Sequence, residues 1–251
     1  MKLYSELAKY YFNIEEKERD INNDISLIKS LSNNTLPPTL LDLGCGSGEH
    51  INRLSKEGFS CVGIDKSPLM IQTAKSRFPD IAEFKIMDMI NIKFFNKFDI
   101  IISLFGSFNY IIEDTSINKV LLNTCSALKK NGTAIFEIWN TSPLKKLQSK
   151  TTDYVSTTNY KGIKIKRKRN FKFLEDGDKT IVEINYLYTI LNERVITIKD
   201  KHIMRTFTQG EINRFINNNG FKINAFYSNS KRELYNKFSN RLLIHFEKKH
   251  G

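Results

Sequence analysis

Leu41-Asp42-Leu43-Gly44-Cys45-Gly46-Ser47-Gly48-Glu49 is the stretch from which the fold can be read. A leucine-rich apolar run enters it, three glycines follow at alternate positions, and an amphipathic stretch leaves it at Glu49, so the segment reads as strand, tight turn and helix. Glycine at such positions lets the backbone approach a ligand where a side chain would collide, and the first turn of the next helix offers unpaired N–H groups to a carboxylate or phosphate. A second strand, Ser60 to Asp65, ends on a carboxylate placed to accept hydrogen bonds from two ribose hydroxyls. A third, Ala82 to Ile86, runs into Met87-Asp88-Met89, where Asp88 can accept from an adenine amino group while Met89 packs on the ring or offers its amide. The glycine spacing is GxGxG, with Glu49 where a dinucleotide fingerprint has glycine, and no lysine follows to complete a triphosphate cradle.

Working outward, short apolar runs alternate with amphipathic ones, the pattern of a parallel sheet covered by helices on both faces. Further strands are predicted at Leu40 to Cys45, Phe98 to Leu104 and Gly132 to Trp139. Helices are predicted at Glu49 to Glu57, Pro68 to Arg77 and Ser116 to Leu128, the second opened by Ser67-Pro68 and the third closed by Lys129-Lys130-Asn131-Gly132. Residues 1–35 read as one or two amphipathic helices, a cap with Leu3, Leu7, Tyr10 and Tyr11 on one stripe and Ile21, Ile25 and Ile28 on a later one. Between 150 and 207 the period falls to two, with Asp176-Gly177 as a hairpin turn, which predicts an antiparallel insertion serving as a substrate lid. A helix from Thr208 to Asn219 and strands at Phe221 to Tyr227 and Asn240 to Glu247 complete one domain of 1–251.

These motifs select S-adenosylmethionine (SAM) over a dinucleotide, and the chain resembles the class I SAM-dependent methyltransferases through LLDLGCGSG, CVGIDKS, FKIMDM, FDIIISLFGSFNYI and LKKNGTAIFEIW. The resemblance implies an α/β, Rossmann-like seven-stranded sheet in the order 3-2-1-4-5-7-6 with its last strand antiparallel. It implies SAM as cofactor, S-adenosylhomocysteine as product, and no metal. Within that superfamily the Phe105 to Ile111 stretch, Glu137-Ile138-Trp139 and the tail His202 to Thr208 look most like small-molecule N-methyltransferases acting on nucleotide-activated amino sugars. Carried over, Gly44, Cys45, Gly46 and Gly48 would line the methionine and ribose part of the cofactor. Asp65 and Lys66 would lie at the ribose, and Asp88 and Met89 at adenine. Met70 would be a ribose or adenine wall, and Leu104 and Phe105 would border the sulfonium. Tyr11 could close over the methyl group.

For proton acceptance or acceptor orientation the candidates are Tyr11, Glu137 at the mouth of the fifth strand, and His202 at the end of the insertion. The alternatives are core packing for Tyr11, binding of a backbone amide for Glu137, and a solvent-facing place on an alternating strand for His202. His50, just after the glycine turn, reads as a helix-surface residue. An amine needs only to arrive neutral, whereas an alcohol acceptor would need a strong base.

Composition bounds the rest. The 251 residues are 40% hydrophobic and 12% aromatic, enough for one core and too apolar for a disordered chain. Subtracting 27 acidic residues from 39 Lys and Arg leaves +12, which favours anionic partners without choosing among them. The densest basic run spans Lys161 to Lys172. On a strand Lys164, Lys166 and Lys168 face one way and Arg167 and Arg169 the other, giving either a solvated edge or a phosphate clamp. Three scattered cysteines suit a reducing cytoplasm, and no run is long enough to span a membrane. The partner expected is a small anionic acceptor, with no membrane and no nucleic acid, and a homodimer is left open. Methylation of a hydroxyl, methylation of RNA, and SAM binding without turnover are the competing readings.

Overall fold

The computed structural model describes residues 1–15, 20–32, 36–145 and 153–249. Five parallel strands form the centre: β1 (Thr39–Leu43), β2 (Ser60–Asp65), β3 (Glu83–Ile86), β4 (Phe98–Ser103) and β5 (Leu128–Trp139). Two later strands, β10 (Phe221–Tyr227) and β11 (Arg241–Lys248), extend the β5 edge; β11 runs antiparallel both to β5 and to β10. The order β3-β2-β1-β4-β5-β11-β10 is the expected 3-2-1-4-5-7-6.

Alternation within the strands explains the layers. Leu41, Leu43 and Ile101 face one side, where they pack with Ile117, Val120 and Leu121 of α5 (Asp114–Ala127) and Ile212 and Ile216 of α7 (Gln209–Asn218). Leu40, Ile100 and Ile102 face the other, against α2 (Ile21–Ser30), α3 (Glu49–Lys56) and α4 (Pro68–Arg77). Because both faces are covered, β1 and β4 read as continuous apolar runs. Ser67 caps α4 as expected, accepting a hydrogen bond from Met70 N–H at 3.3 Å.

Of the expected 150–207 insertion, residues 150–152 lie outside the described residues, and 154–206 form a second sheet of four antiparallel strands in sequential order: β6 (Tyr154–Tyr160), β7 (Ile163–Asp176), β8 (Lys179–Leu191) and β9 (Val195–Thr206). Gly177, at φ +57°, makes the turn between Asp176 and its partner Lys179. Its inner face, with Ile165, Val182, Ile184, Tyr188 and Met204, packs on Leu3, Leu7, Tyr10, Tyr11 and Ile14. The first residues are thus sandwiched between the small sheet and the end of the large one where the glycine turn lies.

Two expectations are corrected. Residues 1–15 are not a regular amphipathic helix but two 3-10 turns, Lys2–Tyr4 and Ala8–Tyr10, followed by the short α1 (Tyr11–Glu15). Tertiary contacts hold them in place: Asp200 takes the Leu3 N–H at 2.7 Å and the Ser67 hydroxyl donates to the Tyr4 carbonyl at 2.5 Å. Lys129-Lys130-Asn131 is the start of β5 rather than a helix terminus, since Leu128 pairs with Phe98 and Lys129 binds Asp99 at 2.9 Å. No helix among the described residues is long and apolar enough to cross a membrane.

Candidate functional site

The glycine turn is pinned from beneath: Gly44 and Cys45 donate their N–H groups to the Ile64 carbonyl at 2.8 and 2.9 Å. Above it opens a cleft of about 400 Å³. Gly44 and Gly46 form its floor, and both have positive φ. A Cβ on Gly44 would stand 2.6 Å from the Ser107 hydroxyl oxygen, and one on Gly46 would stand 3.3 Å from the Tyr11 ring. Gly48 differs. It caps α3, and its missing Cβ makes room for Phe84 and Ala74 rather than for the cleft.

Carboxylates stand at the ends of β2 and β3. Asp65 accepts from Gly46 N–H at 3.1 Å with one oxygen and from Ser67 N–H at 2.8 Å with the other. Burial pushes its carboxyl up, and the N–H groups of Ser67 and Gly46 oppose the rise. Each oxygen keeps lone pairs with which a diol could be gripped. Asp88 accepts from Ile90 N–H at 2.9 Å and so orients the turn that carries Met89. Met87, Met89, Ile90 and Ile111 make the cleft apolar beside it. Lys66 and Phe105 also line the cleft.

Cys45, Met70 and Leu104 do not line it. They are buried behind it in the core, and burial drives the Cys45 thiol well above its usual range, so it is no nucleophile. Glu137 and His202 are also absent from the cleft wall. Glu137 instead lines two smaller cavities of about 80 Å³ each, paired with Arg241 at 2.9 Å. Burial raises its carboxyl, Arg241 pulls it back, and the backbone of Phe105 adds a stabilising hydrogen bond. Phe105, at φ +55°, lines the cleft and both smaller cavities and forms the partition between them.

One of those cavities shares Tyr4, Tyr11 and Tyr110 with the cleft and adds Glu15, Trp139 and Arg169. The basic strand β7 divides as its alternation requires. Lys164, Lys166 and Lys168 face solvent, whereas Arg167 is buried against Glu15 at 2.5 Å and Arg169 reaches the cavity. His50 is buried too, 3.1 Å from Asp24, and is not the surface residue expected.

Sequence reading missed Tyr4, Tyr110, Asp200, Ser107 and Arg241. A signal existed only for Asp200, which sits two residues from His202 on one strand and therefore on the same face.

Residues 40–132 match the methyltransferase domain family. A relative from Geobacillus sp. is 33% identical over 105 residues, 41% of this chain and 42% of the relative. The Streptomyces venezuelae dTDP-3-amino-3,4,6-trideoxy-alpha-D-glucopyranose N,N-dimethyltransferase is 29% identical over 101 residues, 40% of this chain and 42% of that protein. The chain spans less than half the length of these relatives. Among solved structures, a SAM-dependent methyltransferase from Clostridium acetobutylicum superposes with a TM-score of 0.80 at 20% identity, covering 98% of this chain and 99% of that one. The chain therefore carries a methyltransferase domain over residues 40–132 and has the fold of the solved SAM-dependent methyltransferases.

Proposed function

We propose that this protein transfers a methyl group from SAM to the amino group of a small acceptor, an amino sugar carried on a nucleotide or phosphate. The observation that carries the reading is the joint between the two cavities: Phe105, Tyr4, Tyr11 and Tyr110 line both the glycine-floored cleft and the pocket holding Arg169 and Glu137. The cleft fits the cofactor, because its floor is a cradle that a Cβ would fill and its walls carry Asp65, Asp88 and an apolar stretch. When bound, SAM supplies a methyl already activated on sulfur: a carbon–nitrogen bond forms as the carbon–sulfur bond breaks, and sulfur keeps the electron pair. What the protein adds is alignment and exclusion of water.

Relatives that carry a sugar N,N-dimethyltransferase name support the acceptor class. Arg169 offers an anionic acceptor a charged anchor. The exposed lysines of β7 lie on the far face of the small sheet from this cavity, which speaks against RNA as the acceptor. Buried, unpaired cysteines at 45 and 61 suit work in a reducing cytoplasm.

The test is incubation with labelled SAM and a panel of dTDP-linked amino sugars, amino-sugar phosphates, simple amines and RNA, read by product mass. Methylation of the nucleotide-linked or phosphorylated amines, and not of RNA, is expected. Methylation of hydroxyl-only analogues at the same rate would overturn the N-methyl reading. In the same protein Asp65→Ala should weaken SAM binding by about 1–3 kcal/mol through lost hydrogen bonds, measured by calorimetry. Unchanged affinity would remove Asp65 from the site.

A further inference from the structure

Four side chains from three remote segments form one buried chain of hydrogen bonds that ends at the tyrosine-lined cavity. Asp200 Oδ2 lies 3.0 Å from His202 Nε2, His202 Nδ1 lies 2.6 Å from the Tyr110 hydroxyl, and that hydroxyl lies 2.8 Å from the hydroxyl of Tyr4. The imidazole is 1% exposed and the Asp200 side chain 4%. Tyr4 and Tyr110 line both the cleft and the acceptor cavity, so the chain begins where an acceptor would wait and ends beyond its reach.

Its polarity is set from the far end. A carboxylate only accepts, so Nε2 carries the proton given to Asp200 and Nδ1 is left to accept. Burial alone would raise the Asp200 carboxyl, but hydrogen bonds from His202 and from the backbone of Leu3 and Lys2 outweigh it and hold it at about 2. Tyr110 therefore donates to His202 and Tyr4 donates to Tyr110. Among the described residues nothing else bonds to the Tyr4 hydroxyl, which keeps a lone pair of its own. Burial pushes both phenols well above the usual tyrosine range, so each passes a proton on only as it receives one.

An aliphatic amine arrives near pH 7 largely as the ammonium ion, which has no lone pair with which to attack. We propose that Tyr4 takes this proton from the acceptor and that Tyr110 carries the charge to His202, where Asp200 holds the imidazolium. The proposal rests on the N-methyl reading above. The balance is simple: an ammonium N–H breaks and leaves its electron pair on nitrogen. Tyr4 gains that proton as its own passes to Tyr110, whose own passes to Nδ1. A neutral amine and an imidazolium replace an ammonium and a neutral imidazole, and the proton returns to solvent when the product leaves. Tyr4 is the catalytic residue; Tyr110, His202 and Asp200 act through it as positioning residues. Other groups around the imidazole are Lys2 beside Asp200, Tyr186 from β8 at 4.8 Å, Glu15 and Arg167 behind Tyr186, Tyr11 against Tyr4, and Lys66 beside Tyr110.

Two readouts on the full chain with S-adenosylhomocysteine or SAM test this. Without any acceptor, long-range proton–nitrogen spectra of ¹⁵N-labelled protein report the tautomer of each histidine, and His202→Asn identifies the signal. A neutral His202 protonated on Nε2 is expected, and protonation on Nδ1 overturns the relay alone. With an amine that the panel shows to be methylated, kcat/KM is followed against pH. Tyr4→Phe and Tyr110→Phe keep their rings, and both should lose at least about tenfold below the pKa of the acceptor's amine yet approach the wild type above it, with SAM affinity unchanged. A loss of equal size at every pH, or no loss, would show that the hydroxyls only pack and would overturn the relay while leaving N-methylation intact. Failure of the wild type to methylate any amine would overturn the N-methyl reading and the relay together.

Discussion

Gly44→Val is expected to abolish measurable SAM binding while leaving the protein folded. The position has φ +85°, where a β-branched residue is a severe outlier. Backbone held in such a region costs roughly 1–3 kcal/mol, and forcing a side chain into filled space adds a similar amount. The filled space is Ser107, whose hydroxyl and Cβ would stand 2.6 and 2.7 Å from the new Cβ. Ser107 has little freedom to retreat. Its short helical turn is tied by Asn109, which donates to the Arg205 carbonyl at 2.6 Å and accepts from Trp139 N–H at 3.1 Å. The turn must therefore move, and with it the floor of the cleft. A fall in affinity of at least about a hundredfold, near 3 kcal/mol, is expected by calorimetry. Gly162 is the control: it also has positive φ, at +80°, but a Cβ there meets nothing within 4 Å. Gly162→Asn should leave SAM affinity unchanged. Equal behaviour of the two variants would mean that the turn after β1 is not the cofactor floor.

The largest stability loss is expected from Arg205→Ala. The Arg205 side chain, only 3% exposed, ends β9 and reaches two helix starts at once. It donates to Asp114 at 2.5 Å and to the Ile112 carbonyl at 2.7 Å at the head of α5, and to Glu211 at 2.7 Å in the first turn of α7. Glu211 also completes the capping box with Thr208. Truncation leaves Glu211, 14% exposed, without its counter-charge and empties the space between Phe207 and Phe215. Asp114 matters little, since it is 55% exposed and water can replace its partner. Breaking a buried pair from one side costs about 3–5 kcal/mol, which in a chain of this size lowers Tm by roughly 6–20 °C. The double variant Arg205→Met with Glu211→Gln should recover part of the loss, because it removes both charges and refills the volume. The unpartnered Nε of Arg205 favours that recovery. A single-variant loss below about 1 kcal/mol, in denaturant titration, would show that the cluster is hydrated and unimportant.

The glycine-floored cleft was legible from the chain because each part of it is local. Gly44, Gly46, Asp65, Asp88 and Met89 stand at the ends of their own strands, and strand ends follow from apolar runs and turn residues over a few positions. Gly48 was legible as a residue without a side chain, but not as one that serves helix packing against Phe84. Lys129-Lys130-Asn131 looked like a helix terminus because its composition suits one and α5 does end at Ala127, yet the stretch lies inside β5, between the pairs Leu128–Phe98 and Thr133–Ile100.

By itself, then, the sequence determined the sheet, its order and the residues that line the glycine-floored cleft, since period, glycine spacing and terminal carboxylates are properties of consecutive residues. Only the tertiary structure decided what lines the neighbouring tyrosine-rich cavity. Tyr4 meets Tyr110 across 106 positions and Tyr110 meets His202 across 92. Glu137 finds Arg241 across 104, and Arg167, unlike the neighbouring lysines, turns inward to Glu15 across 152. The worth of each such polar contact depends on how much water the surrounding fold excludes, and no stretch of sequence carries that information until the small sheet closes over the first fifteen residues.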